Sequence, residues 1–516
     1  MSEHSTPARQ RLGPLDAVSF GLIVVLGILR LPQAFDGDQA LFTVGAAKLA
    51  KGALYYRDFW DIKQPGIYWF YRAGGQLFGF GRVGIHLFEL LWLLALAALV
   101  RWWVPRFISS PVLVSAAPFF VSGWYLVSAR PTDRTVVEMV VALPLMVVLV
   151  AVTRALDRPT KATMLGLVAG VAVAATALLK LVLMPVGALF IVIVAVVLWR
   201  RGERAPAQRL VGAGALAAAV PVAALVGYYA AHHQVRQLVD ATFVFPPKVT
   251  RLPGMHSFGL LRTTGRWTAV DFVLFLVPAL WALWLVMRGP RPRQLAIEVW
   301  LLGTWVAVGT LLSLSQKWNP YQRLNALTPL AVLGLWGVDR LAADRPLSHR
   351  GLRPLFAIVV VAALPALAVF GHDMLRLAQN RFALTAAGSR AYVEGADEAN
   401  RGVAAERGSL PVAKVGHETW YVLGDPIWYV SLGVDQGLPI NGWSPEQFVP
   451  AQWDRLRDEL VRFHPDRVLV DDFSYQTIVD RDPKTLELLQ SRYDLAGKTS
   501  GGTFQAVREF VLHSGS

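Results

Sequence analysis

The chain has 516 residues, with 50 Lys and Arg against 36 Asp and Glu, a formal net charge of +14. Hydrophobic residues make up 54%, charged residues 17%, and cysteine is absent. This composition excludes an ordinary soluble protein, disulfides, thiolate metal sites and Cys nucleophiles. The basic residues gather in short connectors between apolar runs, which points to a membrane rather than to nucleic acid.

A helix needs ~20 apolar residues to cross a bilayer. By that measure the chain holds about eleven spans, starting near Leu15, Gly84, Ile108, Thr135, Ala162, Leu181, Leu210, Ala269, Ala296, Leu324 and Leu355. The first is longer than the apolar core of a signal peptide, so it is expected to stay as a transmembrane helix. The third is broken by Pro111 and Pro118. The fifth and sixth are divided only by Lys180. With the N-terminus cytoplasmic, connectors such as Arg154/Arg158/Lys161 and Arg200/Arg201/Arg204/Arg209 lie inside, as the positive-inside rule requires. Residues 35–82, 128–134, the turn at Lys180, 231–268, 315–323 and everything after about 371 then lie outside.

The stretch 35–66 stands out within the first outside loop. It carries Asp36, Asp38, Asp58, Asp61 and Lys63, the last followed by Pro65 and Gly66. A short amphipathic helix is expected over 40–49, lying in the membrane interface. Trp60, Tyr68, Trp69, Phe70 and Tyr71 suit an aromatic belt. The fold class is therefore an α-helical polytopic membrane protein, residues 1–371, followed by a small extracytoplasmic α/β domain, residues 372–516. In that domain 412–415 and 468–470 read as strands, and 445–463 and 483–493 as helices. Ser444 and Gln447 form a capping box for the first of these helices. Asp471–Asp472 reads as a turn, and Trp420, Tyr421, Trp428, Tyr429 and Trp443 as core.

The outside segments collect the residues that can do chemistry. Asp38, Asp133 and Glu138 are acids, and Lys63, Lys180, Lys317 and Arg323 are cations. Glu138 falls about one turn inside a span, where a charge costs roughly 2.5–3.5 kcal/mol and so needs a partner or a water-filled cavity. Lys180 either meets a ligand or snorkels between two helices. Carboxylates beside Lys and Arg at headgroup level suit a reaction on a lipid-linked phosphate. The cations neutralise the leaving phosphate. A carboxylate takes the proton of an acceptor hydroxyl.

The sequence Asp38-Gln39, followed by Gly52-Ala53-Leu54-Tyr55-Tyr56-Arg57-Asp58 and closed by Lys63-Gln64-Pro65-Gly66, resembles a family's first extracytoplasmic loop. The family is that of the protein mannosyltransferase-like and lipid A aminoarabinose transferase-like membrane enzymes of GT-C fold. Their loop opens with Asp-Glu and closes with Lys-Pro-Pro-Gly; here Gln39 and Gln64 depart from that pattern. Arg130-Pro131-Thr132-Asp133 and Glu138 resemble the family's second acidic site, Leu178-Leu179-Lys180 its apolar-apolar-Lys turn, and Trp318 to Arg323 its late loop.

The resemblance implies a glycosyltransferase of a bacterial cytoplasmic (inner) membrane. It would move a sugar from a polyprenyl-phosphate donor to a hydroxyl or amine of a lipid, glycan or protein acceptor. Asp38 is then the catalytic base, with Asp133 or Glu138 as the second acid. Lys63, Lys180, Tyr321, Arg323 and Arg57 are the donor-phosphate ligands. No cofactor is required by this scheme, although Asp36, Asp38 and Asp133 could also hold a divalent cation. Asp58 and Asp61 are read as supports for the Lys63 turn. A flippase or transporter of a lipid-linked glycan is the alternative, and a non-catalytic subunit with a docking domain a third.

Overall fold

A computed structural model describes residues 12–33, 35, 37–252, 256–288, 296–316, 318–344, 361, 363–372, 374–375, 419–443, 449–498 and 507–513. Asp36, Lys317, the run 412–415 and the Ser444/Gln447 capping box lie outside them. By internal contacts the chain divides into two units, each discontinuous in sequence.

The first unit takes in Met1–Arg30, Phe88–Gly227 and His256–His372, and its described residues are helical. Seven helical runs among the described residues are long and apolar enough to cross a membrane, not the eleven expected. One of them, Pro159–Arg200, holds two of the expected spans. Helix α1, Pro14–Arg30, has 17 residues, and Ala363–His372 is shorter still. Leu327–Asp344 carries Asp339 and Arg340 in its apolar run.

The double run breaks at Lys180, whose backbone is extended (φ −154°, ψ 91°). A 3-10 turn, Leu181–Leu183, follows, and a new helix starts at Met184 with a proline in its first turn. Helix Ala162–Lys180 packs on Arg204–Ala231 with almost no side chain between them: a Cβ on Gly170 would sit 2.1 Å from the Gly214 carbonyl oxygen. Such small-residue contacts bring helices together where no water drives them. Leu216, Val220 and Val222 on Arg204–Ala231 are exposed, an apolar surface that suits lipid tails.

The second unit takes in Leu31–Leu87, Tyr228–Met255 and Asp373–Ser516. Helices α2 (Gly37–Ala50) and α3 (Pro65–Phe78) pack on each other, and α4 (Arg82–Trp103) follows them. The 40–49 stretch is a helix as expected, but it is not amphipathic. Residues Gly37, Gln39 to Ala46 and Leu49 are all buried. The aromatic belt is corrected in the same way. Trp60, Tyr68, Phe70 and Tyr71 are buried against protein, and only Trp69 is exposed. These rings pack on one another instead: Phe42 meets Tyr68 and Tyr71 edge-on, and Tyr55 leans on Tyr56 and Tyr68.

The C-terminal segment forms a four-stranded sheet in the order β1 (Trp420–Leu423), β2 (Arg467–Asp471), β4 (Val507–Leu512), β3 (Tyr493–Lys498). β1 and β2 are parallel, and the other pairs are antiparallel. The parallel pair needs a crossover, supplied by the helix Pro450–Phe463. Of the 445–463 expectation, the described part is a helix over Pro450–Phe463 preceded by an extended Val449, and residues 445–448 lie outside the described residues, while the second helix runs Pro483–Arg492. Asp471 is not a turn residue. Its side chain caps helix Asp472–Arg481 by accepting from the Ser474 amide at 2.6 Å. Trp420, Tyr421, Trp428 and Tyr429 are core, as expected.

Candidate active site

The second unit brings together the two ends of the 35–66 stretch. Asp38 sits in the first turn of α2, where the unpaired amides of a helix start favour a carboxylate. Lys63 stands just before α3, whose start is set by Pro65. Lys63 Nζ donates to Asp38 Oδ1 at 3.2 Å, and about a fifth of each side chain is exposed. The ammonium also lies 5.1 Å from the Phe42 ring centroid and 3.7 Å from Asp61 Oδ2.

Buried groups hold the Lys63 turn. Tyr55 and Tyr56 hydroxyls donate to the Lys63 carbonyl at 2.7 and 3.0 Å. Burial pushes both phenols well above their ordinary values, so they remain neutral donors. Asp61 is fully buried and accepts from Tyr68 Oη at 2.6 Å and from the Ile62 amide at 2.8 Å. Asp61 is thus the support expected of it. Asp58 is not a support for Lys63: it accepts from the Leu54 amide at 2.8 Å and takes both arms of Arg57. That guanidinium holds the Asp58 carboxyl below the usual carboxylate range. Arg57 itself is exposed and spent on Asp58, outside the Asp38–Lys63–Asp61 group. Gln39 is fully buried, so the carboxylate found in the family's loop would here be a buried charge.

The first unit carries a second group. Arg323 lies in the 3-10 turn Pro320–Ala326, together with the half-buried Tyr321. Its guanidinium donates to Asp133 Oδ2 at 2.6 Å and to Asp271 Oδ2 at 2.7 Å. Arg130 Nη1 meets Asp271 Oδ2 at 2.9 Å. The Trp267 ring lies 4.0 Å from the Arg130 guanidinium carbon and 5.2 Å from that of Arg323. Burial works against the Arg323 charge. Asp133 and Asp271 outweigh it and hold its pKa above the ordinary value. Lys180 does not snorkel; its ammonium is paired with Glu138.

Both candidates for the second acid are thus paired, Asp133 with Arg323 and Glu138 with Lys180. Each of the cations Lys63, Lys180 and Arg323 therefore rests on a carboxylate. Of the three residues read as possible ligands of a divalent ion, Asp38 pairs with Lys63, Asp133 pairs with Arg323, and Asp36 lies outside the described residues. Among the described residues no group of three or more His, Asp or Glu gathers as metal ligands.

Sequence reasoning missed Asp271, and with it Arg130 as a cation. The signal was an aspartate in the apolar helix Phe258–Arg288, where a charge demands a partner. It also missed Glu89, inside α4. Glu89 takes Arg134 Nη2 at 2.7 Å, Tyr125 Oη at 2.7 Å and the Thr135 amide at 2.8 Å. Thr135 sits at φ +49°, a strained position for a β-branched residue, and this network pins it between Asp133 and Glu138.

No protein-family model matches the sequence, and no curated protein matches it. Several solved chains do match in fold, among them those of two structures. Both are of ArnT from Cupriavidus metallidurans, one bound to undecaprenyl phosphate and one in the apo state. The first has a TM-score of 0.60 at 14% identity, the second 0.61 at 16%. Each alignment covers 96% of this chain and 97% of ArnT. The chain therefore has the fold of ArnT over most of its length, the GT-C-type architecture that the loop sequence implied.

Proposed function

We propose that this chain is an integral membrane glycosyltransferase that takes a sugar from a polyprenyl-phosphate donor. The observation that carries the proposal is the Asp38–Lys63 pair: a carboxylate and an ammonium 3.2 Å apart, each partly open, on a rigid aromatic base. The ArnT fold supports it, since one of those structures holds undecaprenyl phosphate.

In the proposed reaction Lys63 leaves Asp38 for the donor phosphate. Asp38 then accepts a proton from the acceptor's hydroxyl or amine. The acceptor's oxygen or nitrogen forms a bond to the anomeric carbon. The bond from that carbon to the phosphate oxygen breaks, and its electron pair leaves on the phosphate. A single displacement of this kind inverts the anomeric centre. Lys63 neutralises the departing charge, so no general acid is needed. Lys180 and Tyr321 keep their proposed role as donor-phosphate ligands, with Glu138 holding Lys180 charged; Arg323, buried and occupied by Asp133 and Asp271, is proposed to order its turn rather than to meet the phosphate. Arg57 is likewise a weak candidate, because Asp58 occupies it. The proposed setting is the bacterial inner membrane, with the N-terminus cytoplasmic and the C-terminal domain outside.

The test is the purified full chain in lipid nanodiscs with a panel of undecaprenyl-phosphate-linked sugars and a membrane-lipid extract as acceptor. Release of undecaprenyl phosphate with inversion at the sugar is expected. Lipid scrambling in proteoliposomes with no sugar transfer from any donor would overturn the proposal and favour a flippase.

A further inference from the structure

A segment of the C-terminal region, residues 435–443, runs as a strap between the sheet and the loop that carries Asp38. The sheet holds it firmly. The Gly437 amide donates to the Trp420 carbonyl at 2.6 Å, and the Gly424 amide to the Gly442 carbonyl at 2.9 Å. At Gly442 a Cβ would lie 1.7 Å from the Val422 carbonyl oxygen, so strap and β1 are in backbone contact.

The strap then reaches α2 at both ends. Lys48 Nζ, near the helix C-terminus, donates to the Gln436 carbonyl at 2.9 Å, and Lys51 pairs with Asp435 at 2.5 Å. At the other end the Trp443 indole covers Gly37, the residue before Asp38. A Cβ on Gly37 would sit 2.7 Å from Trp443 Cζ2. Gly37 has φ +23°, so both its backbone and its missing side chain suit this contact. Between the two ends the strap grips the segment leading to Lys63. The Trp60 amide donates to the Pro439 carbonyl at 2.8 Å, and buried Asn441 donates to the Trp60 carbonyl at 2.9 Å. The same Asn441 accepts from the Trp443 amide at 3.0 Å, which links the two grips.

We propose that this strap sets the geometry of the Asp38–Lys63 pair, and that Trp443 is a positioning residue for Asp38. The inference rests on the transferase reading for its effect on turnover, but not for its effect on α2. The C-terminal sheet then serves as the anchor from which the base is aimed. A misplacement of about 1 Å can cost roughly 100-fold in rate, and the atoms nearest a Cβ at Gly37 all belong to Trp443.

The experiment compares Trp443→Ala and Trp443→Phe in the full chain, with Trp443→Leu in place of Ala if the latter does not fold. Turnover with the donor used by the wild type should fall about 10- to 100-fold in Trp443→Ala at unchanged KM. Trp443→Phe should restore most of it. In an Asp38→Asn background Trp443→Ala should cost nothing further. Independently of activity, hydrogen exchange of the first amides of α2 should speed up in Trp443→Ala and not in Trp443→Phe. Wild-type turnover in Trp443→Ala, an additive loss in the Asp38→Asn background, or unchanged exchange in α2 would each overturn the inference. A wild-type chain that moves no sugar would sink the transferase reading, and the exchange measurement would still decide the role of Trp443.

Discussion

Two acid–base groups in this chain use the same chemistry at different depth. Asp133, Asp271 and Arg323 have side chains no more than 2% exposed. Asp38 and Lys63 are 23% and 19% exposed. A fully buried pair has lost its hydration, so removing one partner leaves an uncompensated charge. A partly open pair can trade its partner for a ligand or for water. The buried group is therefore built to hold its turn and keep Arg323 charged, whereas the open group can exchange a carboxylate for a phosphate within one reaction cycle.

That contrast can be broken by substitution. Arg323→Met should take from Asp133 its close partner and leave Arg130 alone to serve both carboxylates, destabilising the chain by about 3–5 kcal/mol, read as a lower Tm in detergent. Stability within ~1 kcal/mol of wild type would make the two groups equivalent. Lys63→Met is the counterpart. It should cost little stability, because Asp61 keeps Tyr68 and the Ile62 amide. It should weaken undecaprenyl-phosphate binding about 10- to 100-fold, the worth of one charge-assisted hydrogen bond at roughly 1.5–3 kcal/mol. Unchanged binding would remove Lys63 from the phosphate site.

The smallest effect is expected far from both groups, at Asp471. Burial raises its carboxyl above the ordinary range, against the bond from Ser474. The folded state then keeps that proton longer than the unfolded state does. Its contribution to stability is lost as pH rises from the ordinary carboxylate value through the raised one. Asp471→Asn keeps a capping oxygen and removes the titration. Its Tm should gain on wild type across that window by no more than about 1 kcal/mol of stability, and a gain that fails to grow with pH would contradict the assignment.

Much of this was legible in the sequence, for physical reasons that differ by residue. The Lys180 break shows because a charge in the middle of a 42-residue apolar run is too costly to leave inside a single span. The Asp38 and Lys63 ends of the loop show because Gly, Pro and acids mark turns and helix starts. Arg323 was named from the sequence, but its partner Asp271 was not. The two are 52 residues apart, and pairing at that separation leaves no local pattern. The aromatics of the loop misled because a ring that anchors at an interface and a ring that fills a core have the same composition. Only the packing of Tyr68 against Phe42 and Tyr55 separates them. Helix α2 misled similarly: its small residues fit a buried position as well as an exposed one, and the strap that covers it lies almost 400 residues away in the sequence.

The central claim is that Asp38 is the base and that its pairing with Lys63 is a resting state. Sugar transfer by purified Asp38→Asn in nanodiscs tests this most directly, with Tm and undecaprenyl-phosphate binding measured on the same sample. The account predicts a loss of about 100- to 10,000-fold in turnover with the fold and lipid-phosphate binding retained. Transfer at the wild-type rate by a folded Asp38→Asn protein would contradict it.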